Sequence, residues 1–115
     1  MILVYFSLAI NILVAGFWAT VLSCNIKSIP ADRAFGIDTV ARRILGNLYL
    51  AIAIASIVSV ALPTLLPQII IVLFPIQILY KVISFITAQN KHNPVIISNV
   101  CIATLHIISL FVLYL

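Results

Sequence analysis

ILGNLYLAIAIASIVSVALPTLLPQIIIVLFPIQILY, residues 44 to 80, runs without a charged side chain and is interrupted by one short connector, PTLLP at 63–67. A membrane-crossing helix needs about 20 predominantly apolar residues, so this stretch holds most of two. Proline ends one helix and suits the first turn of the next. The reading is therefore a span over about 41–62, a tight turn, and a span over about 68–87. Lipid offers no partner to an exposed backbone amide or carbonyl, so apolar runs of this length must be helical.

The same signal extends outward in both directions. ILVYFSLAINILVAGFW follows Met1 and gives a first span over about 2–23, and VIISNVCIATLHIISLFVLYL gives a last one over about 95–115. AQNKHNP, residues 88–94, is a polar turn. Hydrophobic residues make up 65% of the chain and charged ones 7%. Soluble domains carry roughly 25% charged residues, so this chain cannot cover a water-facing surface. The expected fold is an all-α membrane protein, an antiparallel four-transmembrane-helix bundle forming one domain over residues 1–115. VLSC (21–24) is similar to a lipoprotein processing site, but Leu22 is bulky there and no basic residue precedes the apolar run. The first segment is read as a true span.

Charge is concentrated in ADRAFGIDTVARR (31–43), which holds both acidic residues and three of the six basic ones. With four spans, both termini and PTLLP share a side that has no Lys or Arg. The other side has Lys27, Arg33, Arg42, Arg43 and Lys91, with Lys81 close by. The positive-inside rule then puts the charged loops in the cytoplasm and both termini on the non-cytoplasmic side. So strong a bias argues against dual insertion. The net charge of +4 reports orientation and contact with anionic lipid head groups, and no basic patch interleaved with aromatics points to nucleic acid.

Within the loop at 25–40, Pro30 and Gly36 bracket a short interfacial helix that dips Phe35 and Ile37 into the membrane while Asp32 and Arg33 face water. Asp38 is placed to cap the second span and to pair with Arg42. Arg42 and Arg43 lie in a first helical turn, against the helix dipole. They are read as topology anchors or, more specifically, as contacts to a lipid phosphate or another anionic ligand.

At about 1.5 Å per residue, Asn11, Ser56, Gln77 and His106 each lie roughly 13 to 18 Å from both surfaces. One polar residue per helix at one depth predicts a mid-membrane layer facing the bundle axis. It serves either as interhelical glue or as a ligand, proton or quinone contact centred on His106. Gln77, Lys81 and Ser84 share one face of the third span. Lys81 either snorkels to the surface or faces inward toward an anionic ligand. Pro75 is expected to kink this helix near Gln77. Ala51, Ala55 and Ser59 form a small-residue spacing suited to helix packing, Gly16 and Gly46 allow close approach, and Cys24 and Cys101 are expected to be buried, unreactive thiols.

Enzyme chemistry finds little foothold. No span contains a carboxylate, and no G-x-S-x-G, H-E-x-x-H or phosphate-binding glycine loop occurs. The two histidines, His92 in a turn and His106 at mid-membrane, cannot hold a haem together. No metal site and no cofactor are expected. Small multidrug exporters share this size but depend on a glutamate in their first span, and no glutamate is present. The glycine-rich motif of small fluoride channels is also missing.

The pattern Arg-x-x-Gly-x-x-Tyr, carried by Arg43, Gly46 and Tyr49, resembles the second helix of a family of small bacterial four-helix membrane proteins of unknown function. Lys81 with Ser84, and Pro94 entering the last helix, are also similar, over roughly residues 38–115. The lysine in the third helix and the lack of an acidic residue in the fourth depart from that pattern. The resemblance implies a four-helix fold in a bacterial inner membrane and no chemistry. The function expected is non-enzymatic: an accessory or assembly subunit of a membrane complex, or a lipid-associated protein, whose partners are lipids and another membrane protein or a second copy. The alternative is a small oligomeric transporter or channel, and behind it a redox or enzyme subunit using His106.

Overall fold

A computed structural model describes residues 1–24 and 29–115. Lys27, assigned above to the charged face, lies outside them. Five helices are described: α1 (Ile2–Ser23), α2 (Ile29–Phe35), α3 (Val40–Ala61), α4 (Leu66–Thr87) and α5 (Pro94–Tyr114). No strand occurs among the described residues. The four long helices run 21 or 22 residues and are apolar enough to cross a membrane. Each starts or ends within two residues of its expected limit.

Polarity is inverted relative to a water-soluble bundle. Ile2, Leu13, Phe17, Leu79, Ile86 and Phe111 are exposed, while Ser7, Asn11, Ser56, Gln77, Asn99 and His106 are buried. Lipid is as apolar as leucine, so burying leucine between spans gains little, whereas polar groups gain partners only inside. Apolar clusters fill the two ends. Val4, Leu8, Leu66, Ile70 and Phe74 pack at one, and Ala15, Ala19, Leu22, Tyr49 and Ala53 at the end that carries α2.

The first span is not a plain α-helix. One π-helical segment, Asn11–Ala15, interrupts it, where the main neighbour of α1 changes from α5 to α3. Beyond that switch α1 and α3 come close at Gly46. A Cβ there would lie 2.8 Å from Leu22 Cβ and 3.0 Å from the Ser23 amide nitrogen. The packed stripe of α3 is Arg42, Gly46, Tyr49, Ala53, Ser56 and Ser59. Of the expected small-residue face, only Ser59 belongs to it. Ala51 and Ala55 instead line a groove toward α4, because the close approach is set by Gly46 and its i+3 and i+7 neighbours.

α2 matches its expected limits, with Pro30 in its first turn and Gly36 following it at φ +80°. Phe35 enters the fold, its ring edge-on between Trp18 and Tyr49 at centroid distances of 4.8 and 6.1 Å. Ile37 stays outside the packed core, 76% exposed, as a side chain in contact with lipid would be. The cap of α3 is Thr39, whose Oγ1 accepts from the Arg42 amide at 3.2 Å, and not Asp38. The expected Arg42–Asp38 pair is also replaced. Asp38 precedes the helix, so the i,i+4 rule for two helical residues does not apply to it, and it takes Arg43 instead. Arg42, on the buried face, takes Asp32 of α2 at 2.6 Å. Cys24 and Cys101 are free thiols and are exposed where burial was expected. Pro75 lies inside an unbroken α4.

Candidate functional site

Three of the four residues expected at mid-membrane meet. Asn11 Nδ2 donates to Gln77 Oε1 at 3.0 Å, and Asn11 Oδ1 lies 3.1 Å from His106 Nε2. Asn11 thus uses both ends of its amide to tie α1 to α4 and α5. With Asn11 Oδ1 as acceptor, His106 carries its proton on Nε2 and donates. Its ring stacks on Phe74, with centroids 4.2 Å apart and planes 13° apart. His106 Nδ1 is buried without a hydrogen-bond partner among the described residues. Ser56 is fully buried, but its hydroxyl donates to the Ile52 carbonyl of its own helix at 2.8 Å and is not tied to the other three. Serine closes readily on the carbonyl four residues back, which depth alone does not reveal.

A second polar contact flanks this layer on each side. Toward the chain ends, Ser7 and Ser109 hydroxyls lie 2.6 Å apart. Toward α2, Lys81 Nζ donates to Asn99 Oδ1 at 3.0 Å and sits 4.8 Å from the Tyr80 ring centroid. Lys81 is 4% exposed, so it faces inward and does not snorkel. An acceptor carbonyl and a ring face inside the bundle hold the ammonium, and no carboxylate does. Depth alone sets Asn99 level with Lys81, as found, but does not pick out Ser7 and Ser109. Their signal is spacing, since Ser7 precedes Asn11 by four and Asn99, His106 and Ser109 recur on one face of α5.

The α2 end is clamped by charge. Arg42 is 4% exposed; besides Asp32 it donates to the Gly36 carbonyl, while its Nε lacks a partner among the described residues. Arg43 makes two bonds to Asp38, at 2.9 and 2.7 Å, and this guanidinium holds the Asp38 carboxyl below the ordinary carboxylate range. Asn93, which caps α5, also donates to the Ala34 carbonyl at 3.0 Å, joining the α4–α5 turn to α2. The two arginines expected to meet an anion are thus engaged by the chain's own two carboxylates.

Three spaces adjoin these groups. An inner cavity of about 10 Å³, at the lower limit for one water molecule, is bordered by Asn11, Gln77, Tyr80, Lys81, Ser98 and Asn99. A cleft of about 730 Å³ opens between α2 and the start of α5, with Arg33, His92 and Asn93 in its walls. A groove of about 530 Å³ between α3 and α4 is lined by Leu48, Ala51, Ala55, Leu73 and Ile76 and reaches Gln77 and Tyr80. No group of three potential metal ligands is gathered among the described residues. No family model, curated protein or solved structure matches this chain.

Proposed function

We propose that this protein is a non-enzymatic multi-pass membrane protein acting as an accessory or assembly subunit, surrounded by lipid and meeting its partner through its apolar outer faces. In this reading the four long helices form an antiparallel bundle in a bacterial inner membrane. Ser7 beside Ser109 and Asn11 beside His106 support opposite directions for α1 and α5. The one-sided distribution of Lys and Arg supports cytoplasmic loops and non-cytoplasmic termini.

One observation carries the functional reading. Asn11 bonds to Gln77 and His106, Lys81 bonds to Asn99, and the space beside them is the size of one water molecule. A single copy therefore has little room to pass a solute, while its outer faces offer extensive apolar surface for a neighbouring helix. A second reading, an oligomeric transporter, draws on the groove between α3 and α4, where another copy could reach Gln77.

Native mass spectrometry of the protein extracted gently from its own membrane tests the proposal. A larger protein held in fixed ratio is the expected result. A homo-oligomer without a second protein, moving solute after reconstitution alone, would overturn it.

A further inference from the structure

Among the described residues, one basic side chain, Arg33, is left exposed and unpaired. Asp32 and Asp38 are taken by Arg42 and Arg43. Lys91 donates to the carbonyls of Phe85, Ile86 and Ala88 at the end of α4, and Lys81 donates to Asn99. Arg33 has no hydrogen-bond or ion-pair partner among the described residues, and it borders the cleft of about 730 Å³. His92 and Asn90 stand with it on the polar side, and Trp18, Pro94 and Val95 form the apolar side.

The floor of the cleft adds to this charge. Trp18, Val95 and Ser98 border both the cleft and the inner cavity, where Lys81 lies. No carboxylate balances Lys81, and in a low-dielectric interior the field of such an ammonium reaches further than in water. The cleft thus has a cation in its wall, a second beneath its floor and no acidic residue in its lining. Its combination of polar and apolar walls suits an amphiphile better than a free ion.

We propose that this cleft binds the phosphate-bearing head group of an anionic membrane lipid. The Arg33 guanidinium pairs with the phosphate, in the two-pronged geometry that arginine favours. The indole of Trp18 and the side chain of Val95 receive the first carbons of the acyl chains. The inference rests on the orientation proposed above, which sets the cleft at head-group depth on the cytoplasmic side.

The test uses the full chain in mild detergent, equilibrated with equal amounts of phosphatidylglycerol and phosphatidylcholine, with retained lipid read by native mass spectrometry. Wild type is compared with Arg33→Gln and with Arg43→Gln, which removes the same unit of charge outside the cleft. Wild type should retain phosphatidylglycerol preferentially. Arg33→Gln should lose about fivefold of that preference, as expected for one interfacial cation, and Arg43→Gln should keep it. Excess glycerol 3-phosphate should not displace the lipid. Equal retention by wild type and Arg33→Gln, equal loss in both variants, or displacement by glycerol 3-phosphate would overturn the inference. Arg33 has no hydrogen bond or ion pair among the described residues for the substitution to break, and matching elution profiles check that the fold is kept. The same spectra of material from the native membrane report any protein partner separately, so either proposal can fail while the other stands.

Discussion

The α2 end of the bundle and its middle both bury polar groups, but they satisfy them by different means. At the α2 end charge meets charge, with buried Arg42 on the half-exposed Asp32, and Arg43 on Asp38 beside them at the surface. In the middle neutral dipoles meet, with Asn11 between Gln77 and His106. Depth accounts for the difference. Near the loops the exposed side of a carboxylate can stay in water, as Asp32 does with 56% of its side chain accessible. Between the spans a charge pair would have to shed its whole hydration shell, which its mutual attraction rarely offsets. Lys81 stands between the two regimes, a charge held by a dipole, and is the group with most to gain from a nearby anion.

The comparison can be broken most severely where helix spacing itself is set. Gly46→Val would push a side chain into Leu22 and the Ser23 backbone, and backbone cannot give way as a flexible side chain does. A loss of about 3 kcal/mol is expected, measured by reversible unfolding in bicelles. Arg42→Met should cost less, about 2 kcal/mol, because Asp32 returns to water and is not stranded as a buried charge. It should also expose residues 31–39 to protease while leaving the middle layer intact. Asn11→Leu removes the partner of both Gln77 and His106 and should cost about 1.5 kcal/mol, toward the upper end for interhelical hydrogen bonds in membranes. Its protease sensitivity at 31–39 should not change. Ser7→Ala, which removes a single hydroxyl contact, should cost about 0.6 kcal/mol.

The smallest effect concerns pH. The Asp38 carboxyl is held below its ordinary range by Arg43, so the pair is complete at all pH values above the unfolded carboxylate range. It is lost only as pH falls through the lowered folded value. The Arg43 Nε–H resonance should therefore be unchanged from about pH 8 down to the ordinary carboxylate range and shift only below it.

Most of the fold was legible because lipid imposes a simple rule, and four apolar runs of the right length could be counted. The short helix was legible from Pro30 and Gly36, whose backbone preferences mark its two ends. The mid-membrane layer was legible as far as depth goes, which brought Asn11, Gln77 and His106 together. Depth says nothing of azimuth, so Ser56 was included although its hydroxyl turns back on its own helix, and Ser7 and Ser109 were passed over although spacing aligns them, whereas Asn99 was legible as level with Lys81. The exchange of partners between Arg42 and Arg43 was not legible. It depends on α2 folding back over α3, a tertiary event that no local rule contains. Nor does any residue type announce the π-helical segment at Asn11–Ala15, which comes where α1 changes neighbours.

The central claim is that the polar faces of the spans look toward one another inside the bundle. A Ser7→Cys/Ser109→Cys pair, in a Cys24→Ser/Cys101→Ser background, tests it directly in native membranes. The native hydroxyls are 2.6 Å apart, within reach of a disulfide. Mild oxidation should link nearly every chain to itself, while Ser7→Cys with Ile107→Cys on the outward face should form no intramolecular bond. Failure of the first pair, or equal linkage of the second, would contradict the account.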